Sequence, residues 1–359
     1  MRIAPICGLV FPLLALVVSL PVAAADEVRN LYEAEVDVPD KDRKVRAEAF
    51  GLALLQVAVK VSGSRGAAAS PVIAEAMEGP DRFVQQFRYR SVAPPPAGGD
   101  TPETPALALW VQFDSQAVDA LIRDAGLSVW GRVRPSVLVL VAVESGTGRE
   151  LLSSDDSRGW AEYIQRIAAE RAVPMVLPLM DLEDRGRLRA TDVWAGFEDS
   201  VRPAAERYQT EGVLLGRAYE RLPGFWEARW RLLLEDGRHE WIDQGEGLDA
   251  VLLGGINESA DLLASRFGGF TGTTTATGVA VNVAGIRSLG DYARTLKYLD
   301  SLDQVSRVDV TSANSDRVSF QLDARGGREG VRQVIALGRT LVEDGEVDLN
   351  AGLNYRLSP

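Results

Sequence analysis

The chain has 359 residues, 46% of them hydrophobic and 25% charged, enough to bury more than one core. Its formal charge is −12, from 51 acidic and 39 basic residues, which argues against DNA, RNA or anionic lipid as the main partner. One cysteine and one histidine leave neither a disulfide framework nor a Cys/His zinc site.

Arg2 precedes an uncharged stretch from Ile3 to Ala25 with an apolar centre between Leu9 and Leu20. Pro21 and then Ala23-Ala24-Ala25 stand before Asp26. This is the layout of a secretory signal over residues 1–25, cleaved after Ala25, and it implies a periplasmic protein. The rival is an uncleaved anchor, since an uncharged run of about 20 residues can span a bilayer. Pro12, Pro21 and the small-residue site favour cleavage, which leaves no integral span and removes Cys7 with the apolar segment.

Residues 26–132 read as an N-terminal α+β domain. Tyr32, Ala34, Val36 and Val38 alternate with polar residues, as in a half-buried strand. Asp40 is the expected cap of a helix whose apolar face is Val45, Ala49, Leu52, Leu55 and Val59, ended at Ser62-Gly63. A short helix near Pro71–Met77 and strands over Phe83–Val92 and Leu107–Phe113 follow, with a Pro/Gly loop at 94–99 between the strands. Asp114 caps a last helix carrying Val118, Leu121 and Ile122, giving the order βααββα.

Residues 133–270 read as an α/β layered domain. Val137–Val143 is a continuous apolar run of the kind found in a strand covered on both faces, and Val173–Leu179 and Gly212–Ala218 read as its companions. Trp160, Ile164 and Ile167 recur at helical spacing, and Pro203–Tyr208 completes another helix. Phe225–Leu234 and Glu240–Gln244 form a tryptophan-bearing hairpin turned at Asp236-Gly237, before a long helix through Leu248, Leu252, Ile256, Ala260 and Leu263.

A Gly/Thr-rich linker at 271–278 leads into residues 279–359. There Val279, Val281 and Val283 alternate, and Ser288 with Asp291 makes a capping box. Leu289, Tyr292, Leu296 and Leu299 line the helix, and Val305–Val310 and Val318–Leu322 form a hairpin. Val331, Val334, Ile335 and Leu341 line a second helix. Either Val347 with Leu349, or Leu353, Tyr355 and Leu357, supplies the last strand. That is βαββαβ, the ferredoxin-like arrangement. The whole is a multi-domain chain mixing α/β and α+β units.

Chemistry is sparse. His239 beside a hairpin turn has no Gly-x-Ser-x-Gly elbow to serve, and the glycine-rich segments lack the lysine of a phosphate loop. No cofactor is expected. Asp181, Glu183 and Asp184 form an acidic cluster after a strand. They read either as a cation site or a carboxylate pair for glycan hydrolysis, or as a solvated turn neutralised by Arg185, Arg187 and Arg189. Trp226, Trp230 and Trp241 lie on the hairpin, Trp226 and Trp230 with the same strand parity. They are placed to contact a sugar or a partner protein, or to pack beneath the long helix.

Leu31-Tyr32-x-Ala-x-Val, Val59-Lys60-Val61-Ser62-Gly63, Leu109-Trp110-Val111-x-Phe113-Asp114, Trp130-Gly131 with Arg134-Pro135, and Leu177-Pro178-Leu179-Met180-Asp181-Leu182 resemble the exported Gram-negative proteins of domain-of-unknown-function family 2066. The resemblance runs from about Val28 to Leu341 and carries no catalytic residues. The first domain also resembles the N-terminal domain of a flagellar assembly protein. The second is similar to the N-terminal domain of the Tol-system β-propeller protein and to lipoprotein activators of cell-wall synthases. These resemblances imply a non-enzymatic binding or assembly module for an envelope protein or cell-wall component. A carboxylate-dependent glycan hydrolase and a small-ligand-binding protein are the alternatives.

Overall fold

A computed structural model describes residues 28–92, 106–146, 148–235, 237–268, 277–302, 304–338, 340–344 and 352–358. The expected signal at 1–25, the loop at 94–99, most of the 271–278 linker, Asp236 of the hairpin turn and the Val347/Leu349 strand lie outside these residues. Among the described residues the chain is mixed α/β, with three sheets and ten α-helices. None of those helices is long and apolar enough to cross a membrane.

The first sheet is antiparallel with order β1-β3-β2, from β1 (Glu33–Val38), β2 (Val84–Val92) and β3 (Ala106–Phe113). Helix α1 (Arg43–Ser62) packs on β1 and β3, and α2 (Pro71–Glu78) and α3 (Ser115–Asp124) pack on α1. Asp114 caps α3 as expected, accepting from the Ala117 amide at 2.8 Å. The cap of α1 is Asp42 and not Asp40: Asp42 accepts from the Lys44 amide, while Asp40 only turns the chain by accepting from the Asp42 amide. The buried arc of α1 is also rotated from the expected stripe. Phe50, Leu54, Val57 and Val61 are enclosed and Leu52 is 50% exposed. A helix this rich in apolar and small residues offers two adjacent faces, and packing selects between them.

The central sheet has order β5-β4-β7-β8-β9, built from β4 (Val137–Ser145), β5 (Gly148–Leu151), β7 (Gly212–Leu222), β8 (Phe225–Leu234) and β9 (Gly237–Glu246), with β6 (Met175–Val176) paired to β4. Strands β4 and β7 are parallel and β7, β8 and β9 antiparallel. Helices α4 (Trp160–Glu170) and α8 (Leu248–Phe267) close one face over a cluster centred on Val139, Val141, Leu214, Trp230 and Ile256. Helices α5 (Leu182–Arg187), α6 (Ala190–Ala195) and α7 (Glu198–Tyr208) accompany the other face, where Val193, Val201 and Ala204 meet Leu138, Leu140 and Leu215. The expected strand over Val173–Leu179 shrinks to two residues. Pro174 and Pro178 flank them without an N–H to give a ladder.

Two buried arginines tie the first sheet's unit to the central one. Arg134 donates to the carbonyls of Lys60, Trp130, Gly131, Arg171 and Ala172. Arg171 donates to Gly63 O at 2.7 Å and to Asp261 Oδ1 at 2.5 Å. Guanidinium groups with little access to water require this many acceptors. Gly63 ends α1 at φ 69°, and a Cβ there would stand 2.4 Å from the Trp130 ring.

The third sheet has order β11-β12-β10-β14-β13, from β10 (Thr277–Ala284), β11 (Val305–Ala313), β12 (Arg317–Ala324), β13 (Leu341–Glu343) and β14 (Leu353–Leu357). Helices α9 (Leu289–Asp300) and α10 (Gly327–Leu337) pack on it. The Ser288/Asp291 capping box is formed. Leu289 is 81% exposed because it stands at the first position of α9, before the helix meets the sheet. Leu341 belongs to β13 rather than to a helix, since Gly338 ends α10. Strand β14 runs parallel to β10, and β13 forms the antiparallel edge beyond it.

Candidate functional site

The acidic cluster sits where β6 gives way to α5. Asp181 is the N-cap of α5, its Oδ1 accepting from the amides of Glu183 at 3.1 Å and Asp184 at 3.0 Å. Arg207, on the last turn of α7, binds Asp181 at 2.6 and 3.0 Å, lies 3.5 Å from Glu183, and donates to Asp184. Asp184 is 1% exposed; its Oδ2 also accepts from Tyr208 Oη at 2.5 Å and from the Met180 amide at 2.9 Å. The hydrogen bond from Arg207, helped by the Asp184 amide, holds the Asp181 carboxyl down at about 2. Burial, with the Asp184 hydrogen bond second, pushes the Tyr208 phenol up to about 12.

The neutralising cation is therefore Arg207, which is distant in sequence. Of the three arginines expected to serve, Arg187 reaches Glu183 at 3.2 Å. No group of three or more metal-binding side chains is found among the described residues. Leu179 and Leu182 stand above the knot, 55% and 88% exposed, and Met180 between them is held at φ 52°.

The tryptophans lie on the opposite, α8 side of the sheet. Gly216, Trp230 and Trp241 are register partners on β7, β8 and β9, and the two indoles stack with centroids 6.4 Å apart. Trp230 is 2% exposed and slots between two glycines: a Cβ on Gly216 would lie 2.4 Å from its ring, and one on Gly255 of α8 only 2.1 Å. A ring enclosed on both faces cannot stack on a sugar, so Trp230 leaves the set of ligand contacts and belongs to the core. Trp226 and Trp241 are half-buried against the same cluster, and Trp241 Nε1 donates to Asp243 at 3.1 Å.

The other face of the same strands is polar. In register across β7, β8 and β9 stand Leu215, Arg231 and Glu240; then Arg217, Arg229 and Ile242; then Tyr219, Glu227 and Gln244. Glu227, 3% exposed, accepts from Tyr219 Oη, from Gln244 Nε2 at 2.8 Å, from Arg221 Nη1 at 2.9 Å and from Arg229 Nε at 3.1 Å. The Tyr219 hydrogen bond first, then those of Gln244 and Arg229, hold its carboxyl down at about 2. The end of α6 stops short of covering this face and leaves a cleft of about 320 Å³. Trp194, Gly196, Arg217, Arg229, Arg231 and Ile242 are among its walls.

From the sequence Trp194 reads as a packing residue and Arg217 as part of a strand, and none of these residues reads as a site. The usable signal is charge at every second position of an apolar strand, Glu227, Arg229 and Arg231 between Ala228, Trp230 and Leu232. His239 is exposed on β9, away from both carboxylate networks.

Residues 25–131 match a family described as a domain of unknown function, DUF8605. This overturns the resemblance to domain-of-unknown-function family 2066. Several motifs behind that resemblance, Lys60 to Gly63 and Trp130 to Arg134, meet at the junction between the first two sheets. They record packing, and similar packing patterns arise in different families. No curated protein and no solved structure matches the chain.

Proposed function

We propose that the protein is an exported, non-enzymatic binding or assembly module that works on a protein or cell-wall component of the envelope. One observation carries the reading: the buried carboxylates of Asp184 and Glu227 are each saturated by internal donors. A general acid for glycan hydrolysis needs a raised pKa and an open path to substrate. Glu227 is held low and enclosed, and Asp184 is tied to Arg207 and Tyr208. Of the carboxylates the hydrolase alternative rested on, Asp181 is held low by Arg207, Asp184 is tied to Arg207 and Tyr208, and Glu183 is paired with Arg187 at 3.2 Å and Arg207 at 3.5 Å, which speaks against each as the acid. What the surface does offer is exposed apolar side chains on a rigid frame, Leu179 and Leu182 above α5 and Leu222 on β7.

In this reading the units are residues 26–132, 133–270 and 279–359. The strand order β11-β12-β10-β14, with the edge strand β13 beyond it, supports a ferredoxin-like module for the third. It departs from that module in the parallel pairing of β14 with β10.

The test joins export to contact. A photo-crosslinking residue replaces Leu182 in the full chain expressed in its native cell, and the product is fractionated and its N-terminus read by mass spectrometry. The expected result is a periplasmic chain beginning at Asp26 that yields one discrete adduct. A chain that keeps residues 1–25 and stays in the cell interior, or one that gives no adduct from Leu182, overturns the reading.

A further inference from the structure

We propose that the cleft between the end of α6 and strands β7 to β9 binds a small oxyanion ligand, a carboxylate or phosphate joined to an apolar group. This goes beyond the envelope-partner reading and rests on different residues.

The first observation is a like-charge pair. Arg217 and Arg229 are direct register partners on neighbouring antiparallel strands, so their side chains stand side by side on one face. Like charges placed this way destabilise a sheet unless something neutralises them. Arg231, one row away, is neutralised: Glu240 lies 2.8 Å from its Nε and Glu198 3.6 Å from its Nη1. Arg217 is not. It donates to the Trp194 carbonyl at 3.2 Å and has no carboxylate partner among the described residues. Arg229 shares the single carboxylate of Glu227 with Arg221. Arg217, Arg221 and Arg229 therefore stand near one carboxylate, Glu227, which pairs with Arg221 and Arg229 alone, while Glu240, the acid on the cleft wall, is paired with Arg231 and Arg238, all inside a chain whose formal charge is −12. A local rule broken without compensation is what a binding site leaves behind.

The second observation is the shape around that surplus. A guanidinium is a planar fork that matches a carboxylate or phosphate through two parallel hydrogen bonds. Beside the arginines the cleft presents Trp194 and Ile242, the latter 55% exposed. Trp194 is fixed from behind by the Arg149 guanidinium, 4.1 Å from its ring centre. Its neighbour Gly196 has no side chain, which lets Arg231 reach the Gly196 carbonyl at 3.0 Å and keeps that wall open. A cleft of about 320 Å³ lies at the small end of organic-ligand sites, so it fits one compact anion with an apolar body.

The experiment is calorimetric titration of the full mature chain with benzoate, phenyl phosphate and, as the uncharged control, benzamide. At least one anion is expected to bind about ten-fold or more tightly than benzamide, and the tighter of the two identifies the oxyanion. Arg217→Gln is expected to weaken that anion about ten-fold, and Arg217→Lys, which keeps the charge and loses the fork, by less. The exposed Arg307→Gln variant should bind as the parent does. The unfolding midpoint of Arg217→Gln should equal or exceed that of the parent, because a like-charge neighbour is gone. The proposal is overturned if neither anion binds up to about 10 mM, if benzamide binds as well as they do, or if Arg217→Gln binds unchanged. Such a failure leaves the crosslinking test at Leu182 unaffected.

Discussion

Strand β8 carries two unlike surfaces on one backbone. Ala228, Trp230 and Leu232 point toward α8 and are buried, whereas Glu227, Arg229 and Arg231 point the other way, toward a face that α6 covers only in part. The aromatic side, the natural place to seek a ligand, is spent on packing. The charged side has a carboxylate locked by four partners and guanidiniums left in excess. Tryptophans on a hairpin mark a binding surface only when the other layer of the fold leaves them uncovered.

The largest effect is expected from emptying the packed side. Trp230→Ala should lower the unfolding free energy by about 3–5 kcal/mol in urea titrations, the usual cost of removing a large enclosed aromatic. A loss under about 1 kcal/mol would mean that the ring is not the anchor of that face. A smaller effect is expected at the acidic knot. Asp184→Asn leaves Arg207 and Tyr208 with a weaker acceptor, and should destabilise by about 2 kcal/mol in the same titration. No change there would show that the α5–α7 contact does not depend on it.

The subtlest effect concerns pH. Glu227 and Asp181 are both held down at about 2 in the folded chain, below the ordinary carboxylate values of 4.5 and 3.8. The unfolded chain therefore takes up protons first as the pH falls. The stability these groups supply is fully present above about pH 4.5 and is lost as the pH drops toward 2. Thermal midpoints measured across that window should fall, and Glu227→Gln should make the fall shallower. A slope identical to the parent's would show that the Tyr219, Gln244 and Arg229 hydrogen bonds do not hold the carboxylate.

Individual elements were legible where the physics is local. Asp114 caps α3, Ser288 and Asp291 close their box, and the alternation of Leu107, Leu109, Val111 and Phe113 becomes β3. The misreadings share a cause. Asp40 and Asp42 are equally good caps by type, and Leu52 and Leu54 equally good core residues; the choice was made by what α1 packs against. Val173–Leu179 looked like a strand because it is apolar, but its two prolines limit the ladder to Met175 and Val176. The acidic cluster was visible, and its true counter-ion, Arg207, was not, because 23 residues separate Arg207 from Asp184.

The acidic balance, the scarcity of reactive side chains and the mixed order of strands and helices follow from composition and from periods of two and 3.6 residues. Which face of β8 is sealed and which is open depends on how the layers pack around it. Parity assigns residues to opposite sides of a strand but cannot say which side α8 will cover. That choice buried Trp230 between Gly216 and Gly255, and left Arg217 without a carboxylate beside Arg229, which shares Glu227 with Arg221.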